Sequence, residues 1–461
     1  MSRFSPHVSP ESPAKMQPII GLIGMGAMGR IYAKYLSQAG WKKIHVCDRP
    51  ERFKSLKEEY ADVESITVFE DGHGVSRSSD FIMYSVEAEF IDRVVAQYGP
   101  STKVGAIVAG QTSPPFEKYL PHDTEILSCH SLHGPTVSPI GQPLVLIQHR
   151  ASNEALTLVE NILRCFGSRF VYLSYDEHDV VTANTQGVIH AAFLSMGTAW
   201  AARKVYPWEQ GAYVGGIETA KVNLTLRIYS NAWHVYAGLA ILNPSARLQI
   251  DQFASSVSEL FTLMLGGDLD AFRERVMWAK EVVFGSEGDE ETRKRPPILL
   301  SGDVLDRFSL GRTQPSSQPS SPVDTVMAVP YSKYKTNSHL SLLAMVDCWA
   351  HLKIQPFLHL ALAATPLFRL FLGVVEHLFL SPKMLESAIR SAMNDTWHRS
   401  DDLEFVIAAR GWSQCVSFGS FELYRKRFSE TRVFFEGRFE QAGKLGSEMI
   451  KAVMESEVRG D

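Results

Sequence analysis

The chain has 461 residues, of which 45% are hydrophobic and 21% charged, and its formal net charge is −5. This length allows two or three domains that each bury a core. The weak negative charge argues against a basic surface for nucleic acid or an anionic membrane, so we expect neither as a partner. The five cysteines are scattered without a Cys-x-x-Cys pair, which favours a reducing compartment, and we expect a cytoplasmic protein.

Residues 1–17 carry three prolines, several serines and no apolar run. A signal peptide needs such a run, so this composition predicts a disordered lead-in to the first domain. The longest apolar stretch, residues 358–380, is interrupted by polar and charged side chains. That pattern predicts a pair of buried helices and not a membrane span.

The first organised element is an apolar run that begins at Ile19 and is followed by a glycine-rich turn and a helical pattern. The turn has the spacing Gly-x-Gly-x-x-Gly and consists of Gly24, Met25, Gly26, Ala27, Met28 and Gly29. Strand, glycine turn and helix in this order are typical of a dinucleotide-binding site. The first glycine permits the tight turn, the second lets a pyrophosphate approach the backbone, and the third lets the helix pack on the strand.

Charged residues follow the second predicted strand, where a dinucleotide fold places the ribose of its cofactor. Asp48 ends this strand, and Arg49 and Arg52 come shortly after it. An acid at this place favours the free 2′-hydroxyl of NAD, whereas neighbouring arginines favour the 2′-phosphate of NADP. The residues alone therefore leave the two cofactors open. At the end of a further strand, the residues predicted to face the cofactor are Ser85, Val86 and Glu87.

Strand patterns alternate with helical patterns from residue 18 to residue 174. This alternation predicts an α/β, Rossmann-type dinucleotide-binding domain with a mainly parallel, doubly wound sheet. After the second strand, the segments predicted as strands are 81–86, 104–108, 125–129, 143–148 and 169–173.

From Tyr175 onward the strand patterns stop and long helical patterns take over, which predicts an all-α C-terminal domain. Its first part covers residues 175–284 and starts with a helix over 176–206. Residues 285–336 combine a charged run with a proline- and serine-rich run, which predicts a low-complexity linker or insertion. Helical patterns resume at residue 337 and continue nearly to residue 461.

The second helical region shows an echo of the first. His190 precedes Trp200 by the same spacing as His339 precedes Trp349. This spacing suggests that residues 337–461 duplicate the first helical block and pack on it, although two leucine- and alanine-rich regions can also coincide by chance.

Two histidines and an arginine are the candidates for chemistry. His130 stands at the carboxyl end of a predicted strand, and histidine is the usual base for a hydroxyl proton, although a buried or capping role is the alternative. His190 lies on an apolar helix, where a core histidine is more usual than a ligand contact. Arg227 lies in an apolar helix with no acid within four residues. A substrate carboxylate or a distant acid must therefore neutralise it.

Other motifs narrow the chemistry further. His178 and Asp179 lie near the start of the first long helix and are interpreted as largely structural. The chain lacks a Gly-x-Ser-x-Gly turn, a His-Glu-x-x-His motif and a Cys/His metal spacing, so neither a serine nucleophile nor a metal is predicted. The glycine-rich turn also lacks the lysine and serine of a phosphate-binding P-loop.

Together these motifs resemble those of the prephenate dehydrogenases, and most closely the fungal NADP-linked form that acts in tyrosine biosynthesis. The resemblance covers nearly the whole chain, and in combination the matching segments are highly specific. These segments are Tyr84–Glu87, Gly110–Ser113, His130–Pro135, Glu177–Asp179 with His190, and Arg227–Tyr236.

The resemblance implies a role for each candidate residue. The family's catalytic histidine falls on His130, although the proline that follows it in the family's motif is absent here. The family's hydroxyl residue falls on Thr112 or Ser113, its second substrate histidine on His190 and its carboxylate-binding arginine on Arg227. The helical domain is then expected to be of the 6-phosphogluconate-dehydrogenase type, which closes the active site and dimerises in bacterial members. A homodimer is therefore an option for this chain.

The implied reaction is the oxidative decarboxylation of prephenate to 4-hydroxyphenylpyruvate, with NADP favoured over NAD and Arg49 meeting the 2′-phosphate. An arogenate dehydrogenase is the nearest alternative, because it performs the same chemistry on an amino analogue of prephenate. A β-hydroxyacid or imine reductase has the same two-domain plan but usually relies on a lysine or aspartate in the helical domain. A non-enzymatic, NADP-sensing regulator is the alternative from another class.

Overall fold

The computed structural model describes residues 5–110, 114–134, 137–285, 310, 336–359 and 366–458. The chain divides into two compact units, Met1–His178 and Asp179–Asp461, and each is described by itself below. The sequence places the start of the helical domain at Tyr175, within a few residues of this division.

The first unit is built on one eight-stranded sheet with the strand order β3-β2-β1-β4-β5-β6-β7-β8. All neighbouring strands are parallel except β6 and β7, which pair antiparallel. The strands are β1 (Ile20–Ile23), β2 (Ile44–Cys47), β3 (Ile66–Val68), β4 (Phe81–Tyr84), β5 (Ile107–Gly110), β6 (Glu125–Ser131), β7 (Pro143–Arg150) and β8 (Arg169–Tyr172). This order confirms the predicted Rossmann-type, mainly parallel sheet.

Helices cover this sheet, so its central strands are buried along their whole length. Every residue of β1, β4 and β5 is buried, as expected where both faces of a parallel sheet are covered. The helices of this unit are α1 (Ala27–Ala39), α2 (Phe53–Glu59), α3 (Gly72–Ser78), α4 (Ile91–Tyr98), α5 (Pro114–Tyr119) and α6 (Asn153–Leu163). One-turn 3-10 helices occupy Ala14–Met16, Pro50–Arg52, Gly99–Ser101 and Arg164–Phe166.

Two strand predictions need correction. The strand predicted to start at Val104 starts at Ile107, because Val104 sits in a turn with 84% of its surface exposed. The short edge strand β3 was not predicted, since only Ile66 of its three residues is buried and the alternation is too brief to detect.

The predicted disorder of residues 1–17 is not what the structure shows for residues 5–17. The buried side chain of Gln17 donates to the carbonyl oxygens of Pro10 and Ser12, at 2.8 and 2.9 Å, and its own oxygen accepts from the Lys42 backbone N–H at 2.8 Å. Val8 is buried in the core of the first unit. A proline-rich segment can thus be ordered by contacts with the sheet domain that composition does not reveal.

The second unit is helical, as predicted. A helix, α7 (Tyr175–Thr182), crosses the division between the units and continues through one π-helical turn, Ala183–Gly187. The described helices that follow are α8 (Val188–Arg203), α9 (Gly216–Ser230), α10 (His234–Leu242), α11 (Pro244–Gly266), α12 (Leu269–Phe284), α13 (Leu340–His351), α14 (Pro366–Phe379), α15 (Pro382–Asn394), α16 (Arg399–Ser417), α17 (Phe421–Phe435) and α18 (Phe439–Val458). One-turn 3-10 helices occupy Pro207–Gln210, Pro356–His359 and Glu436–Arg438.

The apolar helices of this unit form one continuous core. Helix α8 is buried along most of its length, which explains why its apolar residues extend around the whole helix. The apolar stretch 358–380 forms the end of a 3-10 helix and helix α14, with residues 360–365 outside the described chain. None of the described helices is long and apolar enough to cross a membrane.

The predicted insertion, residues 285–336, lies outside the described residues except for Gly285, Leu310 and Thr336. The second helical region packs on the first, because α13 contacts α8 and α11, and α14 contacts α9. This packing meets the condition that the duplication hypothesis set, and the hypothesis stays a prediction at this point.

Candidate active site

The glycine-rich turn has the geometry that a bound pyrophosphate needs. Gly24 follows β1 with φ near 100°, and a Cβ there would lie 2.4 Å from the carbonyl oxygen of Ser85. A Cβ on Gly29 would lie 2.0 Å from the carbonyl oxygen of Gly24, whereas a Cβ on Gly26 would meet nothing within 4 Å. The first and third glycines are therefore required by packing, and the second leaves open space beside the backbone.

Helix α1 begins directly behind this open space. Gly26 is its N-cap, and no side chain caps the helix there. The first N–H groups of a helix have no intrahelical partner and carry a partial positive charge, so they can bind a phosphate oxygen. Met25 is buried, while Ala27 is exposed and Met28 is half-buried at the edge of the turn.

The acid and the arginines after β2 form a small charged group. The carboxylate of Asp48 accepts from the Arg49 backbone N–H at 2.9 Å and from Arg52 Nη1 at 3.3 Å. The Arg49 side chain is exposed and makes no ion pair with any described residue. The carboxylate charge is thus neutralised by Arg52, and the charge of Arg49 is available to an anion.

The turn after β4 lies against the glycine-rich turn. The Ser85 backbone N–H donates to the carbonyl oxygen of Ile23 at 2.8 Å, and the carbonyl oxygen of Ser85 faces Gly24. Val86 is half-buried beside it, and Glu87 is exposed. Because β1 and β4 are parallel neighbours, both turns lie at the carboxyl edge of the sheet, where cofactors bind in this fold.

His130 lies at the same edge, one residue before the end of β6. Its neighbour Ser131 is linked to helix α1, because the hydroxyl groups of Ser131 and Tyr32 are 2.9 Å apart. The ring of His130 contacts a second histidine: its Nδ1 lies 2.8 Å from Nε2 of His178, in helix α7. The interpretation of His178 as largely structural did not foresee this contact.

The environment of His130 disfavours its protonated form. Burial lowers the pKa of its imidazole to about 3, and the positive charge that His178 and His133 can carry lowers this pKa further. The ring is therefore neutral at neutral pH, and one nitrogen carries a lone pair that can accept a proton.

The contact with His178 decides which nitrogen that is. If His130 Nδ1 carries the proton and donates to His178 Nε2, the Nε2 atom of His130 is free to act as the base. The opposite arrangement puts the proton of His130 on Nε2 and blocks it. His178 can thus select the tautomer of His130.

Helix α7 is held at its start by a reciprocal cap. Glu177 accepts from the backbone N–H and the hydroxyl of Ser174, both at 2.8 Å, and its own N–H donates to the Ser174 hydroxyl at 3.3 Å. This agrees with the prediction that the acids near Glu177 start the helix. The backbone oxygen of Asp179 accepts from the side chain of Asn243 at 2.9 Å.

Three other predicted positions give less. His133 Nδ1 donates to the carbonyl oxygen of the next residue, Gly134, at 3.1 Å, so it does not share the position of His130. Thr112 and Ser113 lie outside the described residues, and their predicted hydroxyl contact stays a prediction.

In the helical unit, His190 lines a small pocket. Burial lowers the pKa of its imidazole to about 4, and its buried Nδ1 has no hydrogen-bond partner. The ring packs edge-on against Tyr236, with ring centres 4.7 Å apart. The pocket is lined by Gly187, His190, Ala191, Leu194, Tyr236, Leu239, Ala240, Ile250, Trp412, Val416 and Tyr424.

Arg227 lies close to this group, on helix α9. It is half-buried, and its guanidinium forms no hydrogen bond or ion pair with any residue that the structure describes. Its positive charge acts on Tyr236, whose pKa burial raises to about 12 and Arg227 pulls back. The distant acid that the sequence left open as a partner is thus absent from the described chain, and an anionic ligand can take its place.

Each unit therefore brings together part of what the sequence predicted. The glycine-rich turn, Asp48, Arg49 and the turn after β4 join His130 in the sheet unit, and Tyr236 connects His190 to Arg227 in the helical unit. Sequence reasoning missed His178 and Tyr236, although both lie in the segments that carry the family resemblance. It also missed the π turn before His190, an insertion in the helical hydrogen-bond ladder that often marks functional sites.

Two family models match the chain. Residues 187–455 match the C-terminal domain of 6-phosphogluconate dehydrogenase, and residues 19–109 match a family described as NADP oxidoreductase, coenzyme F420-dependent. A solved structure of prephenate dehydrogenase from Aquifex aeolicus, in complex with hydroxyphenyl propionate and NAD+, is 19% identical. It aligns with 56% of this chain and 94% of that chain at a TM-score of 0.45.

Fold, glycine-rich turn and helical unit together define a two-domain, dinucleotide-dependent oxidoreductase. Two curated relatives are far closer in sequence than any solved structure mentioned above. The probable NADP+-dependent prephenate dehydrogenase of Schizosaccharomyces pombe is 51% identical over 95% of this chain and 98% of its own length. The NADP+-dependent prephenate dehydrogenase of Saccharomyces cerevisiae is 48% identical over 95% of both chains. The chain belongs to the prephenate dehydrogenase family.

Proposed function

We propose that the chain catalyses the NADP-dependent oxidative decarboxylation of prephenate to 4-hydroxyphenylpyruvate and CO2, a step of tyrosine biosynthesis. The near full-length similarity to two fungal enzymes named for this activity supports the assignment. The observation that carries it in this chain is the neutral, oriented imidazole of His130, at the edge of the sheet that holds the dinucleotide motif.

NADP fits the residues present. The open space at Gly26 and the uncapped start of helix α1 receive the pyrophosphate, and Arg49 pairs with the 2′-phosphate. Asp48 does not oppose that phosphate, because Arg52 neutralises its carboxylate. When bound, NADP supplies the nicotinamide that accepts the hydride from C4 of prephenate.

His130 moves the proton. Its Nε2 atom takes the proton of the 4-hydroxyl group while the C4–H bond is broken and the oxygen becomes a carbonyl. The ring carboxylate then leaves as CO2, and the electron pair of the broken C–C bond restores the aromatic ring with a phenolate oxygen. His130 returns its proton to that oxygen, so the balance is prephenate and NADP+ to 4-hydroxyphenylpyruvate, CO2 and NADPH.

The helical unit binds the substrate. Arg227 pairs with one of the two carboxylates of prephenate through its guanidinium fork, which no described acid occupies. His190, with an unpartnered nitrogen in its pocket, donates to or accepts from a polar group of the substrate. By resemblance, Thr112 or Ser113 contacts the substrate hydroxyl.

The direct test uses the purified full-length chain with prephenate or arogenate, each with NADP or NAD, and follows the absorbance of the reduced cofactor. We expect the highest kcat/KM for prephenate with NADP. Higher kcat/KM for arogenate would replace the substrate, and absence of reduction with either substrate would overturn the assignment.

Arg49→Ser tests the cofactor assignment. Loss of one charge-assisted contact should raise the KM for NADP about tenfold or more and leave the KM for NAD unchanged. Lys57→Ser, which removes a cation from an exposed position of helix α2, is the matched control and should change neither. An equal effect of Arg49→Ser on both cofactors would remove Arg49 from the 2′-phosphate site.

We also expect a cytoplasmic location and a homodimer. Exposed apolar side chains one turn apart on helix α16, Leu403 and Ile407, support a contact between copies. Light scattering of the full chain in solution measures the assembly, and Ile407→Glu should lower the fraction of dimer. A monomer at all concentrations would reject the homodimer.

A further inference from the structure

The helical unit repeats an unusual backbone feature. Helices α8 and α13 each end in a lysine with positive φ, Lys204 at 56° and Lys353 at 54°. Each lysine comes four residues after a buried tryptophan, and three residues before a proline that opens a one-turn 3-10 helix. Left-handed backbone is uncommon outside glycine, so its recurrence in the same local sequence indicates a common origin.

A second repeated feature lies further along the chain. Helices α11 and α16 are each followed by a left-handed glycine, Gly267 and Gly419. The next residues, Asp268 and Ser420, cap the following helix by accepting from the N–H three residues on, at 3.0 and 3.2 Å. Between the two sets of features the helices follow in the same order, so α8–α12 correspond to α13–α17.

The packing of the two sets is reciprocal. Helix α8 packs on α16, and its counterpart α13 packs on α11, the counterpart of α16. Likewise α10 packs on α17 and α15 packs on α12, while α11 and α16, which correspond to each other, pack together. Each half therefore covers the helices of the other, as two copies related by an approximate twofold axis do.

The pocket around His190 is formed by both halves. Gly187, His190, Tyr236 and Ile250 are among the residues from the first half, whereas Trp412, Val416 and Tyr424 come from helices α16 and α17. Two of these three are aromatic, and their rings pack edge-on with centres 4.8 Å apart. Trp412 Nε1 donates to Thr198 Oγ1 on helix α8 at 3.0 Å, which fixes the indole against the first half.

The corresponding region of the second half is arranged differently. His339, the counterpart of His190, lies 3.1 Å from the carboxylate of Glu218, whereas His190 Nδ1 has no partner. Leu260 and Phe272 occupy the positions that correspond to Trp412 and Tyr424, and both are fully buried in the core. The second half has thus kept the packing without the arrangement around a free imidazole.

The counterpart of Arg227 differs in the same sense. Counted from the ends of helices α9 and α14, the position of Arg227 is taken by Glu376, a buried acid. An anion cannot bind there as it can beside Arg227. The first half therefore carries the ligand-binding groups, and the second half supplies aromatic surface.

We propose that α8–α12 and α13–α17 are two interlocked copies of one helical unit, and that the second copy contributes Trp412 and Tyr424 as specificity-determining residues for the ring of the substrate. This inference rests on the proposed function. A flat six-membered ring with a carboxylate, held between aromatic edges and beside Arg227, is the ligand class that the pocket fits. The product ring is aromatic and fully planar, so it gains most from edge contacts with these side chains.

The test compares two leucine variants at corresponding positions. Tyr424→Leu removes a ring from the pocket, and Phe272→Leu removes a ring from the counterpart position in the other copy. Both lose core volume and should lower the melting temperature. Tyr424→Leu alone should raise the KM for prephenate and the inhibition constant of 4-hydroxyphenylpyruvate by about tenfold, with the KM for NADP unchanged.

Trp412→Phe serves as a milder variant if Tyr424→Leu does not fold, because it keeps a ring and loses only the bond to Thr198 and part of the surface. It should raise the KM for prephenate by a few fold. If wild-type enzyme turns over prephenate but the pocket variants match Phe272→Leu in their KM, this assignment is wrong while the proposed function stands. If wild-type enzyme does not act on prephenate, both fail together.

Discussion

Nδ1 of His130 and Nε2 of His178 lie 2.8 Å apart, although 48 positions separate the two residues in the chain. One ring ends a strand of the sheet, and the other lies in the helix that leads into the second unit. Two neutral imidazoles can share only one proton between these atoms, so each determines the tautomer of the other. The pair, and not His130 alone, therefore sets the position of the base.

His178 is expected to act as a positioning residue. His178→Leu removes the acceptor for His130 Nδ1–H and should lower kcat about tenfold or more, whereas His178→Gln places an amide oxygen near the same point and should restore part of kcat. Loss of the positive charge that His178 can carry also removes one cause of the low pKa of His130. In His178→Gln, the pKa seen in the pH profile of kcat/KM should thus move upward.

The comparison of the two variants separates orientation from packing. A purely structural His178 predicts lower melting temperatures for both variants, equal kcat values and an unmoved pH profile. That result would leave the pairing without a catalytic role.

His130→Asn should lower kcat about a hundredfold or more with a modest effect on the KM for prephenate, because a general base acts in the transition state. Stopped-flow and steady-state assays at saturating NADP measure this. His133→Asn is the matched control, since His133 bonds only its neighbouring carbonyl among the contacts described. A kcat equal to that of wild type would take His130 out of the mechanism.

Arg227→Ala should mainly raise the KM for prephenate, by about tenfold to a hundredfold, because the guanidinium binds a carboxylate in ground state and transition state alike. Arg227→Lys keeps the charge without the fork and should fall between the two. Should the melting temperature alone decrease, with the KM unchanged, Arg227 would be a structural residue.

Folding stability should decrease in mild acid. The pKa values of His130, His190 and His339 are lowered to about 3, 4 and 4 in the folded chain, mainly by burial, from an ordinary value of 6.5. Between pH 6.5 and 4 the unfolded chain therefore binds protons that the folded chain does not, so the free energy of unfolding falls as pH decreases. At pH 5 each histidine accounts for a loss on the order of 2 kcal/mol.

Urea unfolding at pH 7.5, 6 and 5 measures this slope as a change of about 2 kcal/mol per histidine at the lowest value. His339→Gln removes one of the three groups from outside the proposed site, and it should reduce the slope while leaving the KM for prephenate unchanged. The same slope in wild type and variant would show that carboxylates, and not this buried histidine, cause the acid sensitivity.

The sequence by itself determined the dinucleotide motif, the sheet-then-helix order and the position of His130 at a strand end. These features depend on local rules: glycine spacing, apolar periodicity and the alternation of strands with helices act within a few residues. For the same reason Gly24, Gly26 and Gly29 could be assigned their separate roles before any coordinates, and the structure agrees with each.

The tertiary structure alone decided which distant groups meet. The contact of His130 with His178, the missing partner of His190, the order of residues 5–17 and the reciprocal packing of the two helical halves all depend on what each side chain is buried against. Burial and pairing energies arise only when segments far apart in the chain come together, and no local pattern in the sequence records them.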